Sequence, residues 1–306
     1  MFSYPNRECG ADRPWVVLAN PATAGGALKS VEARLKSAGV SWRSHVPVTR
    51  AEGRRLAREI SGRRVIAAVL GGDGTMNNIG AGLVRGRAWL APLPGGTENL
   101  LCGQVGVPAD PASAVDYLLR ARPARWDVGR LAGRIFLLVA GVGFDGAVCA
   151  QTSGIWKAAF RQAAYALTVT RMLADPPFLF SIRCKEGVCR DAEQAVFSNG
   201  SRYGGGLMVN PHADPADGRL DMAVFRWRGH FSRIALMASL VFRPHRTSDM
   251  LLRRRVSSAV MMGKGPLPAQ VDGEPFTVTN PRVSVIRSGL SVLGAFPLRR
   301  RWTAYS

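Results

Sequence analysis

The stretch Val65–Leu70 is six apolar residues without a break, and it runs straight into Gly71-Gly72-Asp73-Gly74-Thr75. A continuous apolar run of this length reads as a strand buried on both faces, as inside a parallel sheet covered by helices. Its ending calls for a reason. Glycines tolerate positive φ and let a backbone approach another group closely. Thr75 reads as a cap for the next helix, whose free N–H groups and dipole suit an anion. Asp73 fits less well, because a carboxylate beside phosphate is repulsive unless a cation lies between them or the aspartate handles a proton. A plain turn with Asp73 as helix cap explains these five residues equally well when they are taken alone.

The neighbouring segments favour the anion reading. Strand and helix signals alternate from the start: strands at Trp15–Ala19, Val40–Val48, Val65–Leu70 and Ala88–Leu93, helices at Ala27–Ala38, Arg50–Ile60, Thr75–Val84, Asn99–Val105 and Pro111–Leu119. That alternation predicts a parallel α/β sheet with ligands at the carboxyl ends of its strands. Two more loops rich in Gly, Thr and Asn follow strands there, Asn20–Gly26 and Gly95-Gly96-Thr97. Three such loops on one sheet edge describe a nucleotide-phosphate cradle better than one does. A GxxxxGK[ST] P-loop is absent, Gly263-Lys264-Gly265 failing after the lysine, and no GxGxxG follows a strand in a βαβ unit.

From about Arg125 the texture changes to short strand-like segments broken by Gly turns, which predicts a second, mainly antiparallel β domain. Helical insertions are expected near Ile155–Leu173 and Phe231–Phe242. With no repeat and no linker, the two parts are expected to pack around a shared cleft. The 306 residues suffice for two domains. The first residues lack a signal-peptide core, and runs such as Ile135–Phe144 fall short of a membrane span, so a cytoplasmic protein is expected. Five cysteines without a CxxC pair read as reduced thiols. The net charge of +20, mostly arginine, predicts attraction to anionic surfaces. Basic clusters stand at Arg253–Arg255 and Arg299–Arg301. No nucleic-acid partner is expected, since no RNP, KH or helix-turn-helix pattern appears and aromatics are not interleaved with the basic runs.

Taken together, NPATAGG, GGDGTMNNIGAGL, PLPGGTENLLCGQVGVP, DVGRLAGRIFLLVAGVGFDGAV, NPHADPADGRLDMAVF and VDGEP resemble, in order, the diacylglycerol-kinase-like family of lipid kinases, especially its soluble bacterial members. NAD kinases and 6-phosphofructokinases are more distant relatives of that family. The resemblance implies an α/β nucleotide domain (1–126, with the tail 292–306 packed back on it) and a β-sandwich lipid domain (127–291). It implies ATP with Mg2+ in the cleft. By position, Asn20, Thr23, Thr49, Gly72, Asp73, Gly74, Thr75, Asn77, Thr97 and Asn99 would contact the nucleotide. Asp217 would ligate a structural magnesium beside the backbone carbonyls of Asp214 and Arg219, oxygen donors of the kind a hard cation prefers. Without the family match, DPADG is an ordinary turn. Glu274 matches the catalytic base that takes the proton of the attacking lipid hydroxyl, and Asp73 is the rival for that role.

The sequence departs from the family pattern at Asn78, usually Glu, at Leu100, which removes a carboxylate, and at Thr23 and Ala24. The implied activity is transfer of the γ-phosphoryl of ATP to a lipid hydroxyl of diacylglycerol, sphingoid or phosphatidylglycerol type. The expected partner is an anionic membrane surface, engaged peripherally, with Ile155–Leu173 and Phe231–Arg255 as candidate contacts. Packing of those stretches on their own domain accounts for most of their residues equally well. The alternatives are an NAD-kinase-like enzyme with a soluble substrate and a catalytically impaired basic nucleotide-binding protein. Oligomeric state is left open, a homodimer among the options.

Overall fold

The computed structural model describes residues 8–152, 178–203, 209–226 and 251–294. The helices expected in Ile155–Leu173 and Phe231–Phe242, and the cluster Arg299–Arg301, lie outside the described residues. The chain divides into two compact units, Met1–Trp126 with Ser288–Ser306, and Asp127–Arg287.

The first unit alternates as β1 (Trp15–Ala19), α1 (Gly26–Ser37), β2 (Trp42–His45), α2 (Arg50–Ser61), β3 (Ile66–Gly71), α3 (Asp73–Leu83), β4 (Trp89–Pro94), α4 (Leu100–Gln104) and α5 (Pro111–Arg120). The strands are parallel in the order β2-β1-β3-β4. Every residue of β3 and β4 is buried, as their unbroken apolar sequences require. The expected strand Val40–Val48 shrinks to Trp42–His45 because it is an edge. Val46 and Val48 are exposed, and Pro47 between them has no N–H to give a ladder. Helix α5 starts where Asp110 accepts the Ser113 N–H at 2.8 Å and Pro111 occupies the first turn. A returning segment adds a fifth parallel strand, Ser291 and Val292 pairing with Trp89 and Leu90.

The second unit is antiparallel throughout its described pairs. In chain order it holds β5 (Pro123–Leu131, which carries the chain in), β6 (Arg134–Phe136), β7 (Val139–Gly143), α6 (Phe144–Thr152), β8 (Phe180–Cys184), β9 (Gly187–Ala192), β10 (Gln194–Ser198), β11 (Leu220–Phe225), β12 (Leu251–Val256), β13 (Ser258–Gly263), β14 (Leu267–Val271), β15 (Glu274–Val278) and β16 (Arg282–Leu293, which carries the chain out). One sheet runs β12-β11-β10-β7-β14-β15. In the other, the first part of β16 pairs with β13, then β8 and β9, and β5 pairs with β16 and β6. Phe180, Ile182 and Val283 of one sheet share a single apolar cluster with Val142, Phe197 and Val224 of the other. A core between two sheets is a sandwich.

Candidate functional site

Three loops leave the carboxyl ends of β1, β3 and β4, and hydrogen bonds knit them together. The Asn20 amide nitrogen donates to Thr75 Oγ1 at 2.9 Å, joining the first loop to the second. The Asn20 backbone N–H reaches the Leu70 carbonyl at 2.8 Å, and Thr23 Oγ1 donates to the Asn20 carbonyl at 3.0 Å. Asp73 Oδ1 accepts the Leu101 N–H at 3.1 Å, joining the second loop to the third. Parallel pairing places these loops on one edge of the sheet, so Asn20, Thr23, Asp73, Thr75 and Asn99 gather there.

The glycines meet one half of the expectation and not the other. Gly71, Gly72, Gly95 and Gly96 do not take positive φ. What they supply is close approach: a Cβ on Gly96 would stand 2.5 Å from the Gly72 Cα, and one on Gly95 2.9 Å from that of Gly71. The loops touch backbone to backbone, and any side chain would force them apart. Gly25 and Gly26, by contrast, face open space. Thr75 is also not the cap. Helix α3 begins one turn earlier, Gly72 is its N-cap, and Thr75 sits inside the first turn with its hydroxyl turned to Asn20.

Asp73 and Asn99 prove to be loop-building residues. Asp73 satisfies one of the free N–H groups at the start of α4, where an anion is favoured. Asn99 takes left-handed angles (φ 49°), accepts from Gly95 and Gly96 N–H at 3.2 and 2.8 Å, and returns its amide to the Gly96 carbonyl at 2.9 Å. Cys102 beneath them has its thiol pushed up to about 12, by burial first and by the Asp73 charge second, so it is inert packing. Thr97 is exposed at the third loop. Asn77 is buried in α3, its side-chain oxygen without a hydrogen-bond partner. Thr49 ends the loop that leaves the carboxyl end of the edge strand β2, where it caps α2 by accepting the Glu52 N–H.

Asn78 was singled out as a departure, and the structure gives it a packing role. Its oxygen accepts from Arg54 Nε at 3.1 Å, and its nitrogen donates to the Arg50 carbonyl at 2.8 Å. A glutamate could take the first bond but could not donate the second. The amide thus clamps α3 to α2.

In the second unit Glu274 opens β15 directly after a two-residue hairpin. Asp272 and Gly273 have φ of 44° and 82°, while Val271 and Glu274 pair across the ladder. This matches the turn twist that two-residue hairpins prefer. Asp272 accepts three backbone N–H groups, from Leu137 at 2.6 Å, Leu138 at 3.0 Å and Val139 at 2.8 Å. The Gly273 N–H donates to Gln270 Oε1 at 2.9 Å, and Gln270 Nε2 donates to Asp145 Oδ2 at 2.8 Å. Tyr203 donates its hydroxyl to the other Asp145 oxygen. A chain of side chains therefore fixes the turn that presents Glu274. The sequence reading singled out Glu274 in VDGEP, but it gave no role to Asp145 or Gln270.

Burial raises the Asp145 pKa above its usual value, and the Tyr203 and Gln270 donors pull it back in part. For a raised carboxyl, the stability it contributes is complete below the unfolded value of 3.8 and is lost as pH rises through the folded one. Asp145→Asn is therefore expected to flatten the fall in Tm with pH above about 4, measured by thermal melts across a pH series. An unchanged slope would show that Asp145 burial costs nothing.

Asp217 lies in the turn Asp214–Gly218, with Gly218 at φ 76°. Its Oδ1 accepts the Arg219 N–H at 2.8 Å, and its Oδ2 pairs with Arg255. Asp214 Oδ1 accepts the Ala216 N–H at 2.9 Å, and Asp127 fastens the turn through the Gly218 N–H at 2.5 Å. Asp221 is buried, and its Oδ2 has no hydrogen-bond partner, though Arg255 Nε lies 3.8 Å away. Burial pushes Asp221 up to about 6 against the pull of Arg255, and Asp217 is raised for the same reason. Among the described residues no three His, Cys, Asp or Glu side chains converge on a metal-sized point. A hard cation held by one carboxylate and backbone carbonyls nevertheless suits this oxygen-rich, under-neutralised turn in kind.

No helix among the described residues is long and apolar enough to cross a membrane. Residues 14–131 match the model of the diacylglycerol kinase catalytic domain. Residues 139–294 match the YegS C-terminal NAD kinase beta sandwich-like domain. A "Probable lipid kinase YegS-like" of Pseudomonas aeruginosa is 31% identical over 82% of this chain and 88% of its own. Another of that name, from Chromohalobacter salexigens, is 29% identical over 90% of this chain and 91% of its own. A crystal structure titled as a diacylglycerol kinase from Bacillus anthracis superposes with a TM-score of 0.71 at 19% identity, covering 92% of this chain and 97% of that one, a likeness of fold. With both domain models matched in order along the chain, it belongs to the YegS-like lipid kinase family.

Proposed function

We propose that this kinase transfers the γ-phosphoryl of ATP to a lipid hydroxyl at an anionic membrane surface. The observation that carries the reading is the knitted trio of loops at the carboxyl edge of the first unit's sheet. Backbone N–H groups at the start of α3, which Thr75 ties to the loop holding the open glycines Gly25 and Gly26, offer an anion the donors and the positive helix end it needs. Asn20, Thr23 and Thr75 would hold the phosphates. Gly72, Gly74, Asn77 and Thr97 belong to the same proposed nucleotide surface, whereas Thr49 and Asn99 support it from a cap and a loop.

Glu274 is the proposed base. Its turn is fixed by groups other than itself, which suits a carboxylate that must accept a proton at a set place. Asp73 is the weaker candidate because its carboxylate is engaged by the Leu101 N–H. Phosphoryl transfer is mainly a matter of positioning and charge, so a rigid nucleotide edge and one placed base account for most of the chemistry. Magnesium on the nucleotide would neutralise charge on the phosphates. A second magnesium ion would be held by Asp217 with the carbonyls of Asp214 and Arg219, where it offsets repulsion among the aspartates.

Labelled phosphate from γ-³²P-ATP should appear in the organic phase of mixed extracted lipids, and its mobility would name the acceptor class. Label appearing instead on a soluble acceptor such as NAD would replace the lipid reading. For the second cation, Mg2+ without nucleotide is expected to raise Tm, and Asp217→Asn to remove the increment. If neither melt responds to Mg2+, Arg255 alone is the cation of that turn.

A further inference from the structure

Strand β12 reads Leu251-Leu252-Arg253-Arg254-Arg255-Val256, and strand alternation divides its three arginines between two faces. Arg253 is buried and donates to the Val209 carbonyl at 3.0 and 3.2 Å. Arg255 pairs with Asp217. Leu252 and Arg254 point the other way, where Arg254 Nη1 donates to the Glu186 carbonyl at 2.9 Å in the β8–β9 turn. Here Val188, Cys189 and Arg190 of β9, Arg226 just after β11, and Leu252 and Arg254 line an open cavity of about 480 Å³. Strands β9 and β12 each stand at an end of their sheet, so the cavity opens at the edge of the sandwich.

Half of these lining residues are arginines, and none of them is acidic. Arg190 and Arg226 make no ion pair among the described residues, and Arg226 Nε is shielded from solvent without a hydrogen-bond partner. Arg254 spends its bond on a neutral carbonyl. Burial, the largest influence, raises the Cys189 thiol with help from the neighbouring Asp191 charge, while Arg226 and Arg254 draw it down. Both arginines and the thiol line the same cavity, and the raised thiol leaves Cys189 a neutral wall. Three guanidiniums line the cavity and no carboxylate does, and planar guanidinium forks match phosphate oxygens. An exposed apolar side chain narrows the choice of anion. Val188 is 52% exposed on the cavity wall. A freely soluble phosphate has no use for an exposed valine beside it, whereas an amphiphile does.

We propose that this cavity binds the phosphate headgroup of an anionic phospholipid and anchors the second unit to a membrane surface. The inference rests on the membrane-surface part of the reading above, and not on phosphoryl transfer. The test is flotation of the full chain, without ATP, on phosphatidylcholine vesicles with or without phosphatidylglycerol. Each arginine removed is expected to weaken binding to the anionic vesicles about fivefold, so R190Q/R226Q/R254Q should lose on the order of a hundredfold. A control triple, R43Q/R58Q/R63Q, removes the same charge from exposed positions of the first unit and should lose far less. R190Q/R226Q breaks no hydrogen bond or ion pair among the described residues, and keeps the test valid should the loss of Arg254 unfold the chain. Equal losses in the two triples would overturn the proposal in favour of a diffuse charge effect. Competition by inorganic phosphate as strong as that by vesicles would overturn the lipid assignment. Binding to vesicles by a chain that phosphorylates nothing would count only against the kinase reading.

Discussion

Glu274→Gln is expected to lower phosphoryl transfer to lipid by about 10²–10⁴-fold while leaving ATP affinity unchanged. Glutamine keeps the shape and loses the ability to accept a proton. The turn beneath it is held by Asp272 and Gln270, so the substitution leaves the hairpin in place. Transfer rates measured beside ATP binding by calorimetry separate a lost base from a lost nucleotide site. Were E274Q to keep its rate while Asp73→Asn lost it, Asp73 would be the base and its bond to Leu101 a resting arrangement.

Asp272→Ala is expected to cost about 4 kcal/mol or more of stability, at roughly 1.5 kcal/mol for each of three bonds to a charged acceptor. That is a large part of the roughly 5–15 kcal/mol by which a domain is stable. The residues it serves, Leu137, Leu138 and Val139, lead into and begin β7, in the middle of a sheet, so three buried N–H groups would be orphaned together. Its positive φ of 44° adds a smaller backbone cost for alanine. Asp272→Asn separates the two causes, because asparagine tolerates the left-handed angles yet turns an NH2 toward N–H donors. An intermediate denaturant midpoint is expected for Asn and a much lower one for Ala. A midpoint unchanged in both would show that the turn holds without the carboxylate.

The elements that were legible in advance are those whose signal is local. Ile66–Gly71 follows from an unbroken apolar run, and Pro111–Arg120 from Asp110 and Pro111 at its start. The antiparallel character of the second unit follows from Gly turns and short strands. Where the reading fell short, the deciding partner lay far along the chain. Asn78 meets Arg54 and Arg50, Asp73 meets Leu101, and Asp145 meets Gln270 across 125 positions. No spacing rule reaches so far. The glycines of the second loop were rightly marked as sites of close approach, but what Gly71 and Gly72 approach is Gly95 and Gly96 of the third loop. The triplet Arg253–Arg255 was visible as a basic cluster, yet only the strand's alternation shows that its three charges have three separate partners.

The return of the chain through β16 has a consequence for how the protein is made. The first unit's sheet needs Ser291 and Val292 against Trp89 and Leu90, and the Arg85 N–H needs the Gly289 carbonyl. A ribosome delivers those residues only after the whole sandwich has been synthesised. Until then β4 is an open, entirely apolar strand edge, the kind of surface on which nascent chains pair wrongly. Any nonsense or frameshift product ending before residue 289 would carry that edge permanently, and its fate is aggregation or proteolysis.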